Sequence, residues 1–352
     1  MSKFRKFLEK QQIEISAKRY GIDALGAMAQ GLFCSLLIGT IVKTLGTVFD
    51  LAWLTQIGTY AMAMAGPAMA VAIGYALKAP NLVLFSLTAV GWAANEQGGA
   101  GGPLAVLLIA IIACECGKLV SKTTKVDILV TPAVTIFVGI GLALLIAKPI
   151  GEAAKAFGVV IKAATELQPF WMGILVSVLV GIALTLPISS AAICASFVLT
   201  GLAGGAAVAG CCAQMVGFAA MSFRENRWGG LVSQGLGTSM LQMPNIIKNP
   251  RIWIAPILTS AITGPVATCL FKMQMNGAAI NSGMGTCGLC GPIGVITGWF
   301  SPAEGMSATV PTAADWLGLV LVCIVLPAVI CPLINLPLRK LGWVRDGDLK
   351  LP

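Results

Sequence analysis

The sequence predicts an all-α, polytopic membrane protein, on three observations. Of 352 residues, 57% are hydrophobic and 11% charged, and mean hydropathy is +0.89. The apolar runs are long and unbroken, which suits membrane-crossing helices of about 20 residues and excludes the short alternating strands of a membrane barrel. The 41 glycines and 18 prolines fit a bundle in which some helices are interrupted. The chain has room for roughly eight to ten crossings plus shorter hairpins.

Residues 1–21 read as an amphipathic helix on the cytoplasmic surface, with Phe4, Leu8, Ile13 and Ile15 set among charges. A single transmembrane domain follows at 22–336, in halves of about 22–150 and 170–336. Residues 151–169 form an amphipathic connector, and 337–352 a cytoplasmic tail. In the first half, spans are expected near 22–44, 53–77 and 81–94. The polar stretch NEQGGAGGP (95–103) comes next, then spans near 104–117 and 128–146. In the second half, spans near 170–187, 204–223, 252–270 and 316–336 flank two glycine-rich segments.

The net charge of +9 does not mark a nucleic-acid partner, because the basic residues sit at segment ends. Lys3, Arg5, Lys6, Lys10, Lys18 and Arg19 precede the first span, and Arg339, Lys340, Arg345 and Lys350 follow the last. Lysine and arginine concentrate on the cytoplasmic side of membrane proteins, so both termini are cytoplasmic and the number of crossings is even. The 11 cysteines, mostly inside apolar runs, act as small hydrophobes in a reducing compartment, and no structural disulfide is expected.

The two glycine-rich segments carry a duplicated motif. GLGTSMLQMP (235–244) and GMGTCGLCGP (283–292) align without a gap. Glycine allows backbone conformations that side chains forbid and proline breaks a helix, so both copies read as interrupted turns. Interrupted backbone at membrane depth is tolerated where it lines a cavity or is buried in protein, and paired interrupted segments point to a transporter's binding site. Close helix packing through small residues is the competing explanation, but it does not require Thr, Leu and Pro at matching offsets. If the flanks of the first copy are cytoplasmic, it enters and leaves the membrane on one face, and the second copy dips in from the other.

The candidate binding residues are therefore Gly235, Thr238, Ser239 and Gln242 in the first copy, with Asn281, Gly285 and Thr286 in the second. Asn95, Glu96 and Gln97 join them from the first half, because a carboxylate between two amides can hydrogen-bond a polyhydroxylated ligand. Glu115 and Lys118, one helical turn apart, read as a local pair, and Asp127 as a cap on the helix that begins after it. The chain has no histidine, which excludes a phosphohistidine carrier and most zinc sites. The Cys287/Cys290 CxxC lacks a second ligand pair, and no nucleotide fingerprint occurs, so neither a metal nor a cofactor is expected.

GKLVSKTTKVDILVTP (117–132), LPISSAAI (186–193), NPRIWIAPILTSAITGPVAT (249–268) and GMGTCGLCGP give the chain a family resemblance. It resembles the enzyme IIC membrane subunit of the bacterial sugar phosphotransferase system, most closely the stand-alone branch that includes candidate toxin-gene regulators. The resemblance implies a homodimer in the cytoplasmic membrane with about ten transmembrane helices, two re-entrant hairpins and an elevator-like movement of the sugar site. It also implies separate IIA and IIB proteins, IIB phosphorylating the delivered sugar, and Glu96 as the glutamate that holds a sugar hydroxyl. The missing histidine and the lack of fused IIA or IIB domains depart from the better-studied members. Two other functions share this fold: a membrane sensor or regulator without transport, and a secondary transporter independent of phosphotransfer.

Overall fold

The computed structural model describes residues 3–300, 302–303, 306 and 308–351. Met1 and Ser2 of the N-terminal segment and Pro352 of the tail lie outside the described residues. Among those described, the structure is helical, with one isolated antiparallel bridge between Gly201 and Met275. The elements are α1 (Lys3–Lys10), α2 (Arg19–Thr47), α3 (Ala52–Ala63), α4 (Ala65–Ala76), α5 (Asn81–Gly98), α6 (Gly102–Val120) and α7 (Asp127–Thr165). They continue as α8 (Pro169–Thr185), α9 (Ser190–Ser196), α10 (Gly201–Met221), α11 (Phe223–Val232), α12 (Met243–Lys248), α13 (Ile254–Pro265), α14 (Cys290–Phe300) and α15 (Ala313–Lys340).

Among the described residues, six helical stretches are long and apolar enough to cross a membrane, or seven with the bent pair α3 and α4 counted as one span. One of the six, Asn81–Val120, doubles back on itself as α5 and α6. A Cβ on Gly117 would meet Val83 at 3.0 Å and one on Gly102 would meet Asn95 Oδ1 at 2.6 Å, contacts possible only in an antiparallel pair. The shorter apolar helices α8 and α14 accompany these spans. The chain is thus a multi-pass, all-α membrane protein.

Contacts divide the chain into two compact units, Met1–Gly39 with Gln56–Ala153, and Thr40–Thr55 with Ala154–Pro352. In the first unit, α4 and α5 touch backbone to backbone: a Cβ on Gly66 would lie 2.3 Å from the Gly91 carbonyl oxygen. The Lys118 ammonium, fully buried, ties the N-terminal segment to this core. It donates to the carbonyls of Gln12 (2.9 Å) and Leu77 (3.0 Å) and lies 3.0 Å from the Glu115 carboxylate. The expected local pair is therefore present, as the inner part of a larger cluster. Tyr20 donates to Glu115, and Arg19 to the Leu77 carbonyl.

The polar stretch NEQGGAGGP is expected to follow the span near 81–94, but the helix runs further than that boundary. Asn95, Glu96 and Gln97 are the last turn of α5, and the interruption is confined to the short 3₁₀ turn Gly99–Gly101. Gly99 at φ +49° lets the chain reverse. Residues 151–165 are the end of α7, which takes up Pro149 just after a π-helical turn at Ala143–Ala147. The face of α7 that carries Phe137 and Leu145 is exposed.

In the second unit, α10 is the central element, buried along nearly its whole length. Its small residues admit neighbouring backbones: a Cβ on Gly210 would lie 1.9 Å from the Ser177 carbonyl oxygen of α8. Ser177 in turn donates to the Ser260 carbonyl of α13 (2.7 Å). Lipid is as apolar as these side chains, so close van der Waals contact and such hydrogen bonds hold the three helices together.

Candidate functional site

Neither copy of the duplicated motif is a continuous helix, and each is reached from a different end of α10. The first copy follows the C-terminal end of α10. Its chain leaves through α11, which is interrupted at Arg227 (φ +53°), then passes a π turn at Ser233–Gly237. Thr238 is extended (φ −158°), and a 3₁₀ turn, Ser239–Gln242, leads into α12. The extended residue is held locally, because the Thr238 hydroxyl accepts from the Met240 N–H (3.2 Å).

The second copy belongs to the N-terminal end of α10, where Gly201 and Met275 exchange two backbone hydrogen bonds. It descends through the 3₁₀ turn Ala279–Gly283 to Gly285, whose φ is +53° and whose Cβ, if present, would stand 2.7 Å from that of Cys211. The Gly285 carbonyl accepts from the Gly291 N–H (2.8 Å), closing a loop that includes Gly288 (φ +52°) and Leu289 (φ +60°). Ser190 of α9 donates to the Gly283 carbonyl (2.6 Å) and Ser282 donates to that of Leu199, so the ISSAAICASFVL segment braces this copy. The two copies meet where the turn Cys287–Leu289 lies against Ser233–Gly237. The sequence repeats, but the backbone does not: Thr286 has φ −81° and ψ 5°, unlike its counterpart Thr238.

The polar groups here are neutral, and they form two connected chains. The Ser239 hydroxyl lies 2.8 Å from that of Thr185, which donates to Gln214 Oε1 (3.3 Å). Trp253 Nε1 donates to the same oxygen (2.9 Å). In the other chain, Gln234 Nε2 donates to Ser222 and to the Gly230 carbonyl, Gln242 Nε2 donates to Gln234 Oε1 (2.9 Å), and Asn245 Nδ2 donates to Gln242 Oε1 (2.8 Å). The second N–H of Gln242 goes to the Leu349 carbonyl and that of Asn245 to the Lys350 carbonyl. A buried amide network this complete fixes one arrangement, since any member that moves leaves its neighbours unpaired. Such groups can exchange hydrogen bonds with a neutral polar ligand; they contain no acid, base or nucleophile poised for covalent work.

The structure brings Gly235, Thr238, Ser239 and Gln242 into one cluster and sets Gly285 and Thr286 beside the same helix. Thr286 is buried, with its hydroxyl 3.7 Å from Met215 Sδ, and Asn281 is half-buried, beside Gly294. Asn95, Glu96 and Gln97 belong to the other unit. Asn95 is half-buried, with Gly66 and Gly102 packed against it, whereas Glu96 and Gln97 are exposed. Sequence reasoning missed Thr185, whose only sign was its place just before LPISSAAI. It also missed Ser222, Asn226 and the tail carbonyls, which no motif marks.

The model of one protein family, described as "Phosphotransferase system, EIIC", matches residues 22–351. No curated protein and no solved structure matches the chain.

Proposed function

Because this chain belongs to the phosphotransferase system EIIC family, we propose that it is a permease subunit that binds a sugar or similar small polar solute and delivers it to a separate IIB protein. One observation carries this reading. Two interrupted segments, entered from opposite ends of α10, meet beside it and surround themselves with neutral hydroxyls and amides. In this proposal the copies are re-entrant hairpins, the protein is a homodimer in the bacterial cytoplasmic membrane, and Thr238, Ser239, Gln242, Asn281 and Thr286 contact the solute after the hairpins move. On the other unit, taken by itself, Asn95, Glu96 and Gln97 at the end of α5 are proposed as further solute-binding groups, with the exposed Glu96 carboxylate accepting from a solute hydroxyl.

The test is binding of radiolabelled sugars to the purified protein. Glu96→Gln should weaken binding roughly ten- to a hundredfold, as expected for losing one hydrogen bond to a charged group, worth about 1.5–3 kcal/mol. Absence of binding across a broad sugar panel, with IIB proteins supplied, would exclude the permease reading. A second reading, a sensor or regulator that keeps the fold without transport, is favoured by the inward engagement of Gln234, Gln242 and Asn245 with each other and with the tail. It predicts solute-dependent change in a partner's activity with no uptake.

A further inference from the structure

The last nine described residues do not trail away from the molecule. Asn226 reads the tail backbone at two points: its Nδ2 donates to the Leu349 carbonyl (2.7 Å) and its Oδ1 accepts from the Leu351 N–H (2.9 Å). Gln242 donates to the same Leu349 carbonyl (2.9 Å), using its second lone pair, and Asn245 donates to the Lys350 carbonyl (2.8 Å). At the near end, Asn249 donates to the Trp343 carbonyl (2.9 Å), and the Arg251 guanidinium sits 5.4 Å from the Trp343 ring centre. Two side chains fasten the tail from within. Leu349 and Val344 are buried in a cluster with Phe218, Met221, Ile246 and Cys331.

The amides that grip the tail are those that shape the first broken segment. Gln242 ends the 3₁₀ turn after Thr238 and passes its hydrogen bonds to Gln234 and Asn245. If the tail left, Gln242 and Asn245 would each keep a buried N–H without a partner, which a membrane-embedded site does not tolerate unless water enters or the segment rearranges. We propose that residues 343–351 are a latch on the first copy: seated, they hold it in its present conformation, and released, they free it to move. The coupling is reciprocal, so a solute or partner that shifts the first copy also loosens the tail. Asn226, Gln242 and Asn245 address main-chain atoms, and two tail carboxylates add to the grip: Asp348 accepts from Asn249 (2.8 Å) and Asp346 pairs with Arg339 (2.7 Å), whereas Arg345 and Lys350 are exposed.

Hydrogen–deuterium exchange on the full-length protein in lipid nanodiscs tests this without any ligand. In the wild type, peptides from 343–351 and 233–249 should share slow exchange and open together. Exchange of the tail at the rate of a free peptide would overturn the latch whether or not any variant folds. In Leu349→Asp, both peptides should exchange about tenfold faster or more, with a smaller change at 279–292, while Leu349→Met behaves as wild type. A freed tail beside a first copy that keeps its wild-type protection would show the tail to be a passenger and overturn the coupling.

Discussion

Lys118 shows how a single buried charge can hold one end of a unit together. Its ammonium has no exposed surface, and two main-chain carbonyls and the Glu115 carboxylate surround it. Removing one partner of a buried ion pair leaves the other charge uncompensated, which costs about 3–5 kcal/mol. Lys118→Met should lower the thermal unfolding midpoint of the purified protein by a corresponding margin. The double variant Lys118→Met/Glu115→Gln, which buries no lone carboxylate, should recover part of the loss. Equal destabilisation of single and double variants would show that the carbonyl bonds, not the pair, carry the effect. The i,i+3 pairing with Glu115 was legible in the sequence, because helical spacing is local. The carbonyls of Gln12 and Leu77 were not: they come from segments 106 and 41 residues away, and main-chain acceptors leave no mark in a sequence.

Helix packing in the second unit rests on glycines at crossing points, and the same residue type is neutral elsewhere. Gly210 of α10 faces the Ser177 carbonyl so closely that a Cβ would overlap it, whereas a Cβ on Gly141 of α7 would meet nothing within 4 Å. Gly210→Val should cost about 3 kcal/mol or prevent assembly, as overpacking against backbone cannot relax through a rotamer. Gly141→Val should leave the melting curve and the size-exclusion profile in place. If the two variants behave alike, close approach at α10 is not what holds α8, α10 and α13 together. The duplicated motif was legible to a similar depth. Its offsets announced two interruptions and both are present, but a matching string does not impose matching dihedral angles. Gly285 takes a left-handed conformation that Gly237, inside a π turn, does not. The span expected near 81–94 runs on through Asn95, Glu96 and Gln97 to Gly98, a boundary that polar residues before glycines conceal in the sequence. Helix α5 carries them to its end because its last turn packs against Gly66 and Gly102.

Charge placement at the scale of the whole molecule predicts an orientation in the membrane. In the second unit, Arg224, Arg251 and Arg339 cluster with Glu225, Asp346 and Trp343 at the end of α10 that holds the first copy and the tail. In the first unit, Arg19 and Lys118 gather at the Leu77 carbonyl, at the ends of α4 and α6. Because lysine and arginine favour the cytoplasmic side, the prediction for each unit taken by itself is that its basic end faces the cytoplasm, and for the second unit that the loop after α14 faces outward. An impermeant thiol reagent reads this directly. Thr123→Cys and Arg345→Cys, at exposed positions, should react in inverted vesicles and not in intact cells. Thr309→Cys, also exposed, should react in intact cells, each measured above the wild-type background from the native cysteines. Labelling of Arg345→Cys from outside would reverse the orientation, place the tail beyond the reach of any cytoplasmic IIB protein, and remove the ground for phosphotransfer to a solute released on that side.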